Sequence, residues 1–452
     1  MRETIHRHIS GKSVAILGFG REGRATLPWI LSDGTASRVA IVDKNPVTLP
    51  DDIKEKNCEQ DIELITGDDY QKCLNDFDVI FKSPGIVLEQ EKDFYTCEIL
   101  SEMDIFFETY KNQIIGITGT KGKSTTTTLM YHVLKNAGKK ALLAGNIGIP
   151  VFDIAKDIDK DTILVVELSC HQLEYATVSP HIGVLLNIHE EHLDHYGTMD
   201  KYVAAKENIY KNQKAGDVLF CQQTLAPNEG DMKVVTVGAR ELCGDETADI
   251  YVDGDIIKAQ GEYRIPVDDI ALMGKHNYYD MAFVYGISRL MGLGDEQIES
   301  GFKTYVPLPH RLQNIGTVDG VTYYDDSIST IDETTIQALN TLKNADSVII
   351  GGMDRGISYD SLEKYLSESQ VSHIILMEET GRRIYREIEE NYPDFKGKDR
   401  IILVSHLEDA VETAKAVTAK GKSCVMSPAA ASYGIFKNFE ERGEVFKKLV
   451  LG

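Results

Sequence analysis

The sequence predicts an α/β protein of three domains, each containing a parallel sheet flanked by helices. Three observations support this prediction. Short apolar runs alternate with helical patterns along most of the chain. Two glycine-rich turns, Gly18–Gly23 and Gly116–Gly122, each follow an apolar run and precede a helical stretch. The length of 452 residues also suits about three domains.

The first predicted domain comprises residues 1–112 and begins like a dinucleotide-binding fold. The apolar strand Ser13–Leu17 leads into the G-x-G-x-x-G turn of Gly18–Gly23, and the next strand ends in Asp43, about 20 positions further on. Taken alone, this pattern would suggest NAD. A later strand is followed by the turn Ser83-Pro84-Gly85, and open α/β sheets bind ligands at such strand ends. Strands are predicted at residues 13–17, 39–42, 62–65 and 79–81.

The second predicted domain, residues 113–309, opens with a phosphate-binding loop. The apolar pair Ile114-Ile115 precedes Gly116–Ser124, and a Thr-rich helical stretch follows. In such a loop, backbone N–H groups and the positive end of the helix dipole face an anion, and Lys123 adds a full positive charge. The general G-x-x-x-x-G-K-[ST] pattern requires glycine where this chain has Ile117. The sequence thus predicts a nucleoside triphosphate site built on a variant loop.

Polar residues follow two apolar runs of this domain, 163–166 and 183–187, which are typical of central parallel strands. Glu167 ends the first run, and a carboxylate beside a phosphate loop is a natural Mg²⁺ ligand; the alternative is a charge at a helix N-terminus. His189–His195 follow the second run, but leucine stands where an H-E-x-x-H motif requires its second histidine. We expect His192 to bind a second Mg²⁺ or the substrate, with a structural zinc as the alternative.

Four further residues could have functional roles, although the sequence pattern around each of them does not by itself indicate one. Lys206 lies on a predicted helix, where a lysine is ordinarily solvated. The Asn277 amide could contact an adenine edge, and Arg311, at the end of a proline-containing linker over 306–311, could reach a phosphate. Asp326 ends a strand and could accept a ribose hydroxyl or bind a cation.

The third predicted domain, residues 310–452, again alternates strands with helices. This order predicts another parallel-sheet domain whose active edge lies at the turns after the strands. Its strands are predicted at 321–324, 347–350, 374–376, 401–404 and 423–426, and its helices at 334–342, 361–367, 382–390 and 407–417. By contrast, residues 217–266 of the second domain are expected to form a polar, turn-rich region.

Composition excludes several classes of protein. Lys and Arg total 48 against 71 Asp and Glu, which gives a formal net charge of −23 and argues against nucleic acid or an anionic membrane surface as a partner. The seven Cys include no C-x-x-C pair, as expected for reduced thiols in the cytoplasm. No apolar run approaches the ~20 residues that a membrane-spanning helix needs, and residues 1–10 do not have the pattern of a signal peptide. We expect a monomeric cytoplasmic enzyme without membrane insertion.

In their order along the chain, these segments resemble the Mur ligases, a family of ATP-dependent ligases. The resemblance covers essentially the whole sequence. It includes the phosphate loop Thr118–Ser124 and the C-terminal stretches Ser427–Ser432 and Phe436–Gly443. The other segments that carry the resemblance are 145–148, 167–169, 204–206, 274–277, 308–311 and 325–327.

The resemblance implies an amide ligase that adds D-glutamate to UDP-N-acetylmuramoyl-L-alanine through an acyl phosphate, in peptidoglycan precursor synthesis. It implies ATP and two Mg²⁺ as cofactors, with a carbamylated Lys206. The implied catalytic residues are Lys123, Lys206, His192, Glu167 and Arg311, and the implied metal ligands are Ser124, Glu167, His192 and Lys206. The implied ATP contacts are Gly119, Thr120, Lys121, Gly122, Lys123, Ser124, Thr125, Asn277, Arg311 and Asp326. The UDP substrate would contact Gly20, Arg21, Glu22, Asp43, Lys44, Ser83, Gly85 and Asn146, and the amino acid would contact Thr330, Arg355, Ser432, Tyr433 and Phe439.

Two departures from the family pattern affect the amino-acid site. A lysine that is frequent in the family is replaced by Ile328. The Gly-Gly-Asp-Gly-Lys turn of some members corresponds here to Gly351–Gly356, in which we expect Arg355 to replace the lysine as partner of a glutamate carboxylate. Three alternatives remain open from the sequence: a related ligase that adds another amino acid or a folate ligase, an NAD-dependent dehydrogenase built on Gly18–Asp43, and a nucleotide-binding regulatory protein without catalysis. The dehydrogenase would leave the phosphate loop, Glu167 and Lys206 without a role.

Overall fold

The structure is a computed structural model that describes residues 1–49, 62–191, 193–239, 247–259, 262–267, 270, 272, 274–392, 395 and 398–452. The chain divides into two compact units, Met1–Tyr305 and Val306–Gly452, so the division falls at the start of the predicted linker. None of the described helices combines the length and apolar character that a membrane span requires. The boundaries of the three predicted domains remain a prediction.

The first half of the larger unit contains a sheet of short strands, of which β1, β2 and β4 are largely buried and the edge strand β3 is not. Its order is β3-β2-β1-β4-β5, and every neighbouring pair of strands is parallel. Parallel strands with helical crossovers bury both sheet faces, which explains the continuous apolar runs in the sequence. The elements are α1 Arg2–Ile9, β1 Ser13–Leu17, α2 Arg21–Asp33, β2 Arg38–Asp43, β3 Ile62–Thr66, β4 Val79–Lys82, β5 Glu98–Leu100 and α3 Glu102–Tyr110.

The second half of this unit contains a larger sheet, with β6, the strand of the phosphate loop, near one end of its order. The order is β14-β13-β12-β11-β10-β9-β6-β8-β7; the pairs from β12 to β14 are antiparallel and the others parallel. Its elements are β6 Ile114–Thr118, α4 Lys123–Asn136, β7 Ala141–Gly145, α5 Val151–Ile154, β8 Ile163–Glu167, α6 Cys170–Leu173, β9 Ile182–Leu185, α7 Leu193–Tyr196, α8 Met199–Glu207, β10 Val218–Gln222, β11 Lys233–Ala239, β12 Ile250–Asp253, β13 Ile256–Ala259, β14 Glu262–Pro266, α9 Lys275–Leu290 and α10 Asp295–Thr304.

The smaller unit is built on a third sheet. Its order is β15-β16-β20-β17-β18-β19, with an antiparallel β15–β16 hairpin and parallel pairs elsewhere. The carboxyl ends of the parallel strands therefore share one edge. The elements are β15 Gln313–Val318, β16 Val321–Asp325, α11 Asp332–Thr341, β17 Ala345–Gly351, α12 Asp360–Glu368, β18 His373–Met377, α13 Glu378–Asn391, β19 Ile401–Leu403, α14 Leu407–Val417, β20 Ser423–Met426 and α15 Phe439–Leu451.

The α/β class and the parallel sheets predicted from the sequence are confirmed. Two local expectations were incomplete. The stretch 217–266 contains β10 to β14 and extends the central sheet, although it was expected to be turn-rich. The N-terminal residues form α1, which docks through Ile5 and Ile9, four positions apart and both buried.

Candidate functional site

The phosphate loop lies between β6 and the N-terminus of α4. Gly122 is the residue before the helix and has a left-handed φ of 82°. A Cβ atom at Gly122 would also lie 2.5 Å from Oδ1 of Asp280, a residue of α9. Only glycine adopts this left-handed φ without strain and leaves room for the Asp280 carboxylate without a shift of the neighbouring residues. The turn thereby directs the positive end of the α4 dipole, with Lys123 and Ser124 at its start, toward the loop.

Groups from the segment after β9 and from α8 fix the loop in place. The Lys121 N–H donates to Oδ1 of Asn187 across 2.8 Å, and Asn187 Nδ2 donates to the Lys121 carbonyl oxygen across 3.1 Å. The Thr120 hydroxyl contacts the Tyr202 hydroxyl at 2.9 Å and accepts the His189 N–H at 2.9 Å. These bonds hold the backbone of the loop rather than leaving it to be ordered by a ligand.

Two lysines of the loop differ in their surroundings. Lys123 donates from Nζ to the carbonyl oxygens of Gly119 and Thr120 across 2.9 and 2.8 Å. Burial lowers the pKa of Lys123, against the raising effect of the Glu167 charge. Lys121, by contrast, forms an ion pair with Glu191 at 3.0 Å. The loop thus holds one half-buried lysine against its own backbone, and a second lysine whose charge is neutralised by a carboxylate.

Glu167 is the last residue of β8 and only 1% exposed. Its Oε1 accepts a hydrogen bond of 2.7 Å from Nδ2 of Asn146, which itself follows β7. In the described part of the chain, Glu167 Oε2 has no hydrogen-bond partner. A buried carboxylate oxygen without a donor is well suited to a cation.

The described residues contain no group of three His, Cys, Asp or Glu side chains that could hold a metal ion. Mg²⁺ commonly takes only one or two carboxylates and completes its shell with water and substrate phosphates. Glu167 and the hydroxyl of Ser124 therefore fit that ion without a larger cluster. Of the other two predicted ligands, Lys206 and His192, His192 lies outside the described residues.

Lys206, on α8, is 1% exposed, although the spacing of the helix alone gives no sign that this lysine is buried. Its Nζ donates to the Gly119 carbonyl oxygen across 2.9 Å and lies 4.8 Å from the centre of the Tyr202 ring. Burial, with a contribution from the Lys123 charge, lowers the pKa of Lys206 to about 7. Much of this amine is therefore neutral and nucleophilic near neutral pH.

Except for Asn146, which follows β7 of the second sheet, the predicted UDP-contacting residues lie at the carboxyl edge of the first sheet. Asp43 accepts the Phe19 N–H through Oδ2 across 2.7 Å and the Asn45 N–H through Oδ1 across 2.8 Å. The Ser83 hydroxyl donates to the Gly18 carbonyl oxygen across 2.8 Å. Asp43 and Ser83 therefore shape the glycine turn through its backbone. Gly20, Arg21, Lys44 and Gly85 lie at the same edge and are exposed.

Glu22 links the first sheet to the region after Glu167. Its Oε1 accepts a hydrogen bond of 2.8 Å from Nε2 of Gln172, and burial raises the pKa of Glu22. Gln172 Oε1 in turn accepts the Ser169 N–H across 3.0 Å. The predicted substrate turn and the carboxylate strand are thus joined through Gln172, which the sequence analysis did not single out.

The predicted residues of the smaller unit fall into two groups. Arg355 donates from Nη2 to the Thr330 carbonyl oxygen across 2.9 Å, so these two predicted amino-acid contacts lie together. Phe439 begins α15 and accepts a bond of 2.8 Å from the Ser327 hydroxyl through its carbonyl oxygen. Ser432 is buried and Tyr433 is exposed.

Asp326 is enclosed by donors of its own unit. Its Oδ1 accepts the Leu312 N–H across 3.0 Å, and its Oδ2 accepts the Ser427 hydroxyl across 2.7 Å. Burial raises the pKa of Asp326 to about 6. The carboxylate therefore ties the segment after Arg311 to the ends of β16 and β20, a role that the sequence pattern did not indicate.

Comparison with known proteins agrees with this arrangement. A family model described as the Mur ligase middle domain matches residues 117–287. A UDP-N-acetylmuramoylalanine–D-glutamate ligase from Caldanaerobacter subterraneus subsp. tengcongensis is 32% identical over 451 residues, which cover 97% of this chain and 98% of the relative. The chain belongs to the Mur ligase family. A Mur ligase of the same name from Clostridium kluyveri is 32% identical over 464 residues, covering 98% of this chain and 97% of that one.

Solved structures of other Mur ligases share the fold. UDP-N-acetylmuramate–alanine ligase MurC from Thermotoga maritima gives a TM-score of 0.58 at 16% identity, covering 97% of this chain and 98% of that chain. MurF from Thermotoga maritima, solved in complex with ADP, gives 0.56 at 16% identity, covering 100% and 99%. At these identities the likeness concerns the fold alone.

Proposed function

We propose that this Mur ligase joins D-glutamate to UDP-N-acetylmuramoyl-L-alanine, with ATP as the energy source, in the cytoplasmic synthesis of peptidoglycan precursors. The observation that carries the proposal is the similarity to D-glutamate ligases over nearly the whole chain. The loop around Gly119, Lys123 and Glu167 supplies the chemistry that such a reaction needs. We further propose that the enzyme acts as a monomer.

The first chemical step is transfer of the γ-phosphoryl group to the substrate carboxylate, which releases ADP. Two negatively charged groups must approach each other, and at ~4 Å each unit pair costs on the order of 4 kcal/mol at an effective dielectric of about 20. Lys123 and the N-terminus of α4 would offset this repulsion. Because Asn187 and Thr120 already hold the loop, little of that stabilisation is lost to reorganisation.

The second step is attack of the amine of D-glutamate on the acyl carbon. The new C–N bond forms, the amine loses a proton, and phosphate leaves with the oxygen that came from the carboxylate. The Thr330–Arg355 pair, Ser432, Tyr433 and Phe439 are proposed to bind the amino acid. The Arg355 guanidinium would pair with one of its carboxylates.

Mg²⁺ bound here would neutralise phosphate charge and orient the phosphoryl group. Glu167, Ser124 and His192 are proposed to hold it, together with a carbamylated Lys206. Carbamylation would require the neutral amine of Lys206 to attack CO₂, forming an N–C bond and releasing one proton. The lysine would then present a carboxylate-like group in place of a cation. Asn277, Arg311 and Asp326 remain proposed contacts of ATP.

The proposed UDP site uses the first sheet rather than NAD chemistry. The glycine turn with Gly20, Arg21 and Glu22, the residues Asp43 and Lys44, and the Ser83–Gly85 turn would hold the nucleotide, and Asn146 would contact the muramoyl part. Asn146 is bonded to Glu167, so the acyl end of the substrate would lie beside the proposed cation site.

An isotope-transfer experiment tests the acyl-phosphate route. UDP-N-acetylmuramoyl-L-alanine is labelled with heavy oxygen in its carboxylate and incubated with ATP, Mg²⁺ and D-glutamate. The proposal predicts one labelled oxygen in the released phosphate and a product with the mass of the D-glutamyl adduct. Unlabelled phosphate accompanying the same product would contradict the route, and absence of the product would contradict the proposed function.

A further inference from the structure

The smaller unit contains a cavity of about 560 Å³ outside the proposed amino-acid residues. Glu379, Arg382, Arg383 and Arg386 of α13 have the i, i+3, i+4, i+7 spacing that places side chains on one helix face. The remaining lining comes from the ends of β17 and β19 and from the side of the helix. The lining residues are Asp354, Glu379, Arg382, Arg383, Tyr385, Arg386 and Leu403.

The three arginines of this cavity are unequally neutralised. Arg383 donates from Nη1 to Asp354 Oδ1 across 2.9 Å and from Nε to Glu387 Oε1 across 2.7 Å. Arg382 and Arg386 are exposed, and no carboxylate of the described residues forms an ion pair with either. Three guanidinium groups thus share the lining with two carboxylates, those of Asp354 and Glu379, which leaves one positive charge in excess in a chain with a net charge of −23. Guanidinium groups bind phosphate through paired N–H donors.

One wall of the cavity is apolar. Leu403, at the end of β19, is 46% exposed, and the lining also includes the Tyr385 ring. A free inorganic anion would leave this wall in water. An anion that carries an apolar or aromatic group would cover it and gain from the burial.

The cavity is connected to the loop that carries Arg355. Asp354 accepts the Gly356 N–H through Oδ1 across 2.8 Å, in addition to its bond from Arg383. The next residue, Arg355, donates a hydrogen bond to the Thr330 carbonyl oxygen. The Met353 N–H also donates to the Ala431 carbonyl oxygen across 2.9 Å. An anion that takes the Arg383 guanidinium from Asp354 would remove the side-chain anchor nearest to Arg355 and leave this backbone bond in place.

We propose that this cavity is a binding site for a phosphorylated small molecule with an apolar or aromatic group, and that its occupation shifts the Arg355 loop. The phosphate contacts Arg382, Arg383 and Arg386, and the apolar group covers Tyr385 and Leu403. The effect on the amino acid rests on the proposed function, but the binding itself does not.

Calorimetric titration of the full chain with phenyl phosphate tests the binding. The test variant is Arg382→Gln with Arg386→Gln. The matched control is Lys420→Gln with Lys422→Gln, which removes the same charge from exposed residues before β20, at the opposite edge of the sheet. We expect saturable binding to wild type and control, and affinity at least roughly tenfold weaker in the test variant. Arg382→Lys with Arg386→Lys keeps the charge but loses the paired donors, and should also weaken binding.

Three results would overturn the site: no saturable binding to wild type, equal weakening in the test variant and the control, or full affinity in a folded test variant. If the glutamine variant does not fold, the lysine variant decides.

For the coupling, phenyl phosphate should raise the KM for D-glutamate in wild type but not in the test variant. Binding without that change overturns the coupling. Binding without any D-glutamate ligation refutes the proposed function but leaves the site in place.

Discussion

Lys206 and Lys123 donate to the same carbonyl oxygen, that of Gly119, each across 2.9 Å. The two Nζ atoms therefore lie at most about 5.8 Å apart, which is twice 2.9 Å. Two unit charges at about 5.5 Å repel by about 3 kcal/mol at an effective dielectric of about 20. Because Lys206 is also buried, it is the lysine of this pair that loses its positive charge more readily, which agrees with its lowered pKa.

The first prediction is that Lys206 reacts with CO₂. We expect wild-type protein, equilibrated with isotope-labelled bicarbonate, to show a carbamate signal by carbon NMR that is absent in Lys206→Gln. Lys201→Gln is the matched control, because Lys201 is exposed on the same helix and pairs with Glu91. A carbamate signal that persists without Lys206, or is absent from wild type, would contradict the proposed ligand.

The second prediction separates the two lysines of the phosphate loop. Lys123→Ala removes the charge held at Gly119 and Thr120, and we expect kcat to fall by on the order of 10²–10³. Lys121→Ala, whose charge is paired with Glu191, should reduce kcat far less. Steady-state rates of ADP formation provide the comparison. Turnover like that of wild type in Lys123→Ala would refute the assignment of this lysine.

The third prediction concerns packing in the smaller unit. A Cβ atom at Gly443 would lie 2.1 Å from Nδ1 of His310 and 2.6 Å from Oδ2 of Asp325. Those two atoms form a hydrogen bond of 2.6 Å, so Gly443→Ala should separate them and cost about 1–3 kcal/mol of unfolding free energy. Urea denaturation measures the change. Gly294→Ala, where the nearest atom would lie 3.8 Å away, is the control and should change stability little.

The fourth prediction is a pH dependence that arises from His310. The hydrogen bond to Asp325 raises the pKa of His310 despite its burial. The charged pair therefore stabilises the folded state fully below the ordinary pKa of about 6.5, and this contribution is lost as the pH rises through the higher folded pKa. His310→Asn keeps a donor and tolerates the φ of 61°, but does not titrate. Its stability deficit, from urea midpoints, should be larger at about pH 6 than at about pH 9. An equal deficit at both pH values would contradict the assignment.

The sequence correctly predicts those strands and helices that a short run of neighbouring residues defines. The strand Ser13–Leu17 is found with the predicted bounds, and Glu167 lies at the end of its strand. The helix Arg2–Ile9 was missed because only Ile5 and Ile9 mark its buried face. The strands β12 to β14 were missed because polar residues interrupt their short apolar patterns, whereas β10, Val218–Gln222, is an apolar run that the prediction overlooked.

Parts of the site depend on tertiary contacts and could not be read from spacing. Lys206 has the sequence surroundings of a surface lysine, and its burial follows only when α8 packs against the phosphate loop. Asn187 and Gln172 act through bonds to residues more than 60 positions away. Arg442 is fully buried and donates hydrogen bonds to the Ser327 and Ala430 carbonyl oxygens. Its helical sequence pattern likewise does not indicate this burial.

Phosphate release tests the central claim most directly. The enzyme is given ATP, Mg²⁺ and UDP-N-acetylmuramoyl-L-alanine, and then D-glutamate, L-glutamate, L-alanine or L-lysine in separate reactions. We predict release that depends on D-glutamate, with a product of matching mass. Release with another of these amino acids would preserve the ligase chemistry and contradict the specificity. An enzyme that binds ATP but releases no phosphate with any of them would contradict the proposed reaction.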